Sequence, residues 1–262
     1  MHNFKIPKPT NYEKFFKNQG LKWIVDISKK KLNLKDDRRG KDPHLPDLED
    51  LYFLYQLIVL NNRTTILEYG CGWSTLIMHI ALLKNAKRFN NKAFTRCGNP
   101  YELISVDASR KFINIAKNRI EKYSKKLNKI KFNFSEIKMT KFNGRYCSEY
   151  KKHPFLNPDF IYIDAPHQWS ISGKIENFST AHFSMMPMMC DVLKFEHFLT
   201  PGTIIVFDGR TANARFIKSN FQRNWKYIHS KKNDQHYFYL NEKPLGKWNE
   251  EQLKFYNKKS GK

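Results

Sequence analysis

Residues 66–74 constrain this chain more than any other stretch. An apolar strand at residues 65–67 runs into an acid, Glu68, and then into two glycines one residue apart, Gly70 and Gly72. An apolar helix follows over residues 74–83. Strand, tight glycine turn and helix is the arrangement by which a parallel α/β sheet brings backbone close to a nucleotide-like ligand. The glycines matter because they lack the Cβ atoms that would hold such a ligand off the main chain. The third glycine of the dinucleotide fingerprint would fall at Thr75. A nicotinamide dehydrogenase is therefore disfavoured.

The rest of a sheet follows in order. Residues 101–107 form a short strand ending in Asp107, with Ser109 as N-cap of a helix carrying Phe112, Ile113, Ala116, Ile120 and Leu127 at helical spacing. Residues 129–134 alternate Ile130, Phe132 and Phe134 with polar residues. Residues 159–164 are nearly continuously apolar, the mark of a strand buried on both faces. Residues 201–208 form a fifth strand entered by Pro201-Gly202. Residues 225–229 and 236–240 read as a terminal antiparallel hairpin. Three strands end in aspartate, at 107, 164 and 208. Ligands of open α/β sheets sit at the carboxyl ends of the strands, so these acids share one rim. For any one of them the plain alternative is a helix or turn cap.

The acid-x-Gly-x-Gly turn closing the first strand resembles motif I of class I S-adenosylmethionine-dependent methyltransferases. The likeness extends over residues 64–240. It implies a Rossmann-like α/β fold: a seven-stranded, mostly parallel sheet with a C-terminal antiparallel hairpin and helices on both faces. It implies S-adenosyl-L-methionine as cofactor, held by Glu68, Gly70, Gly72, Ser74, Asp107 and Asp164. Asp107 matches the acid that holds the ribose hydroxyls, and a carboxylate can accept both hydrogens of a cis-diol. One departure stands out. Such an acid usually lies about 20 residues beyond the glycines, whereas Asp107 lies 37 beyond Gly70, 107 less 70. Residues 84–100 are accordingly read as an inserted basic loop. The expected organisation is a basic N-terminal extension (1–45), the methyltransferase-like domain (46–240) and a C-terminal tail (241–262).

A chain of 262 residues, 40% hydrophobic, can bury a substantial core. Its four cysteines are scattered without metal-ligand spacing, which points to a reducing compartment. The N-terminus lacks the apolar run of a signal peptide, and the most apolar window, 51–60, is too short to span a bilayer. A cytoplasmic protein is expected, and the window reads as a buried helix begun near Pro46-Asp47. The formal charge of +23 can steer a protein toward nucleic acid or anionic ligands. The basic runs are short, however, and Asp36-Asp37-Arg38-Arg39 partly neutralises itself. Nucleic acid is not the favoured partner.

The acceptor side is expected in two rim loops, one after Asp164 and one after Asp208. The proposed catalytic groups are Asp164, His167, Asp208 and Arg210. Histidine ordinarily titrates near working pH and suits a general base, with a turn cap beside Pro166 as the alternative. Arg210 and Arg215 both suit a two-pronged clamp on a carboxylate or phosphate, with Arg210 the better candidate and the outer helix face the alternative for Arg215. Trp73 and Trp169 are placed as cleft walls, and His79 and the methionines of 185–189 as packing residues. No metal is favoured. Gly209 stands where the catechol-type branch of the family has an Asn ligand, although two carboxylates can hold Mg²⁺ with several waters. The expected activity is methyl transfer to oxygen or nitrogen of a small, polar, anionic acceptor resembling a sugar or sugar phosphate. Methylation of RNA or another macromolecule and a catalytically inactive cofactor-binding module are the alternatives.

Overall fold

The computed structural model describes residues 4–30, 43–123 and 129–258. Leu127, residues 31–42 and the last four residues lie outside that set. The first strand, β1 (Thr65–Tyr69), pairs in parallel on one side with β2 (Glu102–Asp107), which carries β3 (Ile130–Phe134) at the edge. On its other side β1 pairs in parallel with β6 (Phe160–Ile163), followed by β8 (Ile204–Asp208). The hairpin of β9 (Trp225–Ser230) and β10 (Gln235–Leu240) closes the sheet antiparallel, giving the order β3-β2-β1-β6-β8-β10-β9. This is the Rossmann-like arrangement expected, with its strand order reversing at β1 and opening a crevice at the carboxyl ends.

Alternation along the buried strands assigns each side chain to one of two cores. Ile66, Leu103, Phe160, Tyr162, Val206 and Tyr237 face a helical layer, whereas Leu67, Ile104, Ile161, Phe207 and Phe238 face the other side. The helical layer contains α1 (Tyr12–Asn18), α2 (Lys22–Ser28), α3 (Leu48–Leu60), α4 (Trp73–Arg88) and part of α5 (Arg110–Tyr123). Phe16, Ile24 and Val25 from the first two helices, and Leu21 between them, are fully enclosed within it. Helix α3 starts where expected. Asp47 caps it, its carboxylate accepting the amides of Glu49 at 2.8 Å and Asp50 at 3.2 Å, which contributes about 1 kcal/mol.

The opposite face holds α6 (Asp191–Phe195), α7 (Thr211–Asn220) and a feature missing from the sequence reading. It is a second sheet of β4 (Ile137–Phe142), β5 (Arg145–Tyr150) and the short β7 (Ile171–Ser172). Asn143 and Gly144, both at positive φ, make its hairpin turn. The 84–100 segment differs from a simple loop, because α4 continues to Arg88. The remainder docks on the C-terminal helix α8 (Lys247–Asn257), with Phe94 against Phe255 and Arg96 over Trp248. Among the methionines of 185–189, Met189 is buried but Met186 is exposed. His79 is a packing residue as expected, and burial lowers its pKa to about 4. No described helix is long and apolar enough to cross a membrane.

Candidate active site

The glycine turn rests on a buried carboxyl. Glu68 is wholly enclosed and accepts hydrogen bonds from the hydroxyls of Ser74 (2.5 Å), Thr75 (2.7 Å) and Ser105. Burial pushes its pKa up to about 8 despite those donors. Thr75, at the third-glycine position, also accepts the Gly72 amide at 3.0 Å. It thereby fastens the start of α4 to the acid below. Glu68 thus lies beneath the turn and does not line the cleft, and Ser74 directs its hydroxyl to Glu68.

The two glycines answer to different demands. Gly70 has φ of +99°, and a Cβ there would stand 2.8 Å from the Asp164 carbonyl oxygen. Its neighbour strand alone requires glycine. Gly72 has an extended backbone, and a Cβ there would meet nothing closer than the Ser74 hydroxyl at 3.6 Å. It borders a cavity of about 750 Å³ at the carboxyl ends of the strands. Asp107 borders the same cavity. Its two oxygens accept the Cys71 amide at 2.7 Å and the Ser109 amide at 2.6 Å, and each keeps a second lone pair. Burial raises its pKa to about 6.

Beyond β6 and β8 the loops are tied together. Arg210 donates through Nε and Nη2 to Asp164 Oδ1 at 3.2 and 3.1 Å, through Nη2 to the Asp164 carbonyl, and through Nη1 to the Pro166 carbonyl. The fork expected to clamp an acceptor anion therefore straps two loops of the protein itself. His167 caps a short 3₁₀ turn, its Nδ1 facing the Trp169 amide at 3.4 Å. Both residues border the cavity, as do Asp164, Asp208 and Trp169. Of the other rim residues, Arg215 is exposed on α7. Asn213 is buried and holds the Met189 amide at 3.1 Å.

Asp208 accepts the Tyr162 hydroxyl at 2.5 Å, and burial, then the charge of Asp164, raises its pKa to about 6. Arg210 occupies Oδ1 of Asp164 and Tyr162 occupies Oδ2 of Asp208, so each carboxyl group of the pair has one oxygen already engaged. Asp50, in the first turn of α3, escaped the sequence reading. It borders the cavity, and among the described residues its carboxyl receives only the Gln235 amide, at 3.5 Å, on Oδ1. Gln235 is buried and stands opposite Asp208 in the pairing of β10 with β8. Burial, then the charges of Asp208 and Asp47, pushes the Asp50 pKa up to about 8. The only local signal at Asp50 was that of a helix first turn, where acids are ordinary.

No family model matches the chain, and no curated protein matches it. Among solved structures it is similar to the O-methyltransferase from Bacillus cereus in complex with SAH. The identity is 15%, covering 90% of this chain and 93% of that one at a TM-score of 0.45. It is also similar to the O-methyltransferase TomG from Streptomyces achromogenes, involved in tomaymycin synthesis and in complex with SAM. There the identity is 12%, covering 75% and 82% at a TM-score of 0.44.

Proposed function

We propose that this chain is an S-adenosylmethionine-dependent methyltransferase acting on oxygen or nitrogen of a small polar acceptor. The observation that carries the reading is the meeting of three features on one cavity: the unobstructed Gly72 backbone, the Asp107 carboxylate and the strand-order reversal at β1. Asp107 would hold the ribose hydroxyls through its remaining lone pairs, and Gly72 would lie against the aminoacyl part. The bound cofactor would supply a methyl group already activated on a sulfonium. What the protein must add is alignment of the acceptor, exclusion of water and a group to take a proton.

Asp50, once ionised near and above its raised pKa of about 8, is the best placed of the cavity's groups for that proton. His167 caps a turn and Asp164 is ion-paired to Arg210 through Oδ1, whereas Asp50 has no cationic partner among the described residues. Five carboxyl groups (Asp47, Asp50, Asp107, Asp164 and Asp208) border the cavity. A cavity of about 750 Å³ suits a cofactor together with a small acceptor. Calorimetry with S-adenosylhomocysteine, followed by transfer of labelled methyl to a panel of hydroxyl and amine compounds, tests the proposal. A folded protein that ignores millimolar S-adenosylhomocysteine would refute it.

A further inference from the structure

The cavity contains a cation that no described group neutralises. Trp73 opens α4, and its indole is fixed by donation from Nε1 to the His44 carbonyl at 3.0 Å, with Trp23 packed 5.8 Å away. Arg119, on α5, lays its guanidinium over this ring, the central carbon 3.7 Å from the centroid. A stacked guanidinium has its flat face covered and its N–H groups pointing outward in the plane. No described carbonyl or carboxylate receives them, and both residues border the cavity.

The other enclosed arginines behave differently. Arg63 donates to the Gly202 carbonyl at 2.7 Å, Arg210 holds Asp164, and Arg223 holds Glu242. Burial lowers the Arg119 pKa to about 10 with no neighbouring carboxylate acting against it, and it stays protonated at neutral pH. A cation taken partly out of water without a counter-ion loses solvation and gains only the ring. A planar anion in the cavity would complete it.

We propose that Arg119, braced on Trp73, is the position that recognises an anionic oxygen pair, carboxylate or phosphate, on a molecule bound in this cavity. The anion is either the aminoacyl carboxylate of the cofactor or a group on the acceptor. Naming those two sources rests on the methyl-transfer reading, but the anion site itself does not.

The test compares native protein with Arg119→Gln and Arg119→Lys, all with matched unfolding midpoints. Calorimetry uses S-adenosylhomocysteine, 5′-methylthioadenosine (which lacks the aminoacyl group) and inorganic phosphate. If the cofactor supplies the anion, Arg119→Gln weakens S-adenosylhomocysteine by about tenfold to a hundredfold and leaves 5′-methylthioadenosine unchanged, with partial recovery in Arg119→Lys. If the acceptor supplies it, both nucleosides bind natively, and phosphate binds the native protein but not Arg119→Gln. Native binding of all three ligands by Arg119→Gln overturns the proposal, as does equal weakening of both nucleosides. Should the native protein bind neither nucleoside, the methyl-transfer reading fails while phosphate still tests Arg119.

Discussion

Gly70 and Gly72 look equivalent in the sequence, and the structure predicts opposite consequences for replacing them. Gly70→Ala puts a methyl group 2.8 Å from a backbone oxygen that belongs to the next strand's loop, at φ of +99°. The left-handed backbone costs about 1–2 kcal/mol, and the overlap roughly 1–3 kcal/mol more because main chain yields poorly. A loss of about 2–5 kcal/mol should lower the unfolding midpoint by roughly 4–20 °C in a chain of this size. Gly72→Val places its side chain on extended backbone, beside open space. Its midpoint should stay within about 2 °C of native, since surface-like changes cost within about 0.5 kcal/mol. Binding of S-adenosylhomocysteine should nevertheless disappear, because the branched side chain occupies the cavity wall. Differential scanning fluorimetry and calorimetry on both variants decide the matter. Native affinity in a folded Gly72→Val protein, or an unshifted midpoint in Gly70→Ala, would refute the division of roles.

Three further outcomes are expected. Asp50 has a folded pKa raised to about 8, so the folded state holds a proton that the unfolded chain releases near pH 4, and stability declines as pH rises between those values. Asp50→Asn should therefore gain more in unfolding midpoint over native at pH 8 than at pH 5; equal differences would show that the carboxyl is not held protonated. Burial raises the Asp107 pKa to about 6, so S-adenosylhomocysteine affinity should fall as pH drops below about 6 and the diol acceptor becomes protonated. A flat affinity from pH 5 to 8 would remove Asp107 from the cofactor's contacts. Leu253→Ala should cost about 2–5 kcal/mol, since Leu253 is fully enclosed where α8 meets Gly202. Cofactor affinity should survive, because α8 does not border the cavity; a parallel loss would imply coupling between the two.

Much of the scaffold was legible because the signals are local. Alternation and continuous apolar runs mark β1, β2, β3, β6 and β8, the acid-x-Gly-x-Gly turn marks the crossover, and Asp47 marks the start of α3. The hairpin of β4 and β5 carries an Asn143-Gly144 turn signal, but its flanking segments lack a continuous apolar run. The site was less legible. Sequence placed Asp107, Asp164, His167, Asp208 and Arg210 on one rim, which depends only on strands ending together. It could not show that Arg210 faces Asp164, that Glu68 lies under the turn, or that Asp50 meets Gln235, 185 residues away. The two arginines make the difference plain. Residue type and strand position made Arg210 the candidate for an anion, and tertiary structure gave it carboxylate and carbonyl partners while leaving Arg119, among the described residues, with only an indole face. Periodicity and turn chemistry act over a few residues and can be read along the chain. The state of a long charged side chain depends on which distant groups the fold brings within about 4 Å of it, and only the tertiary structure decides that.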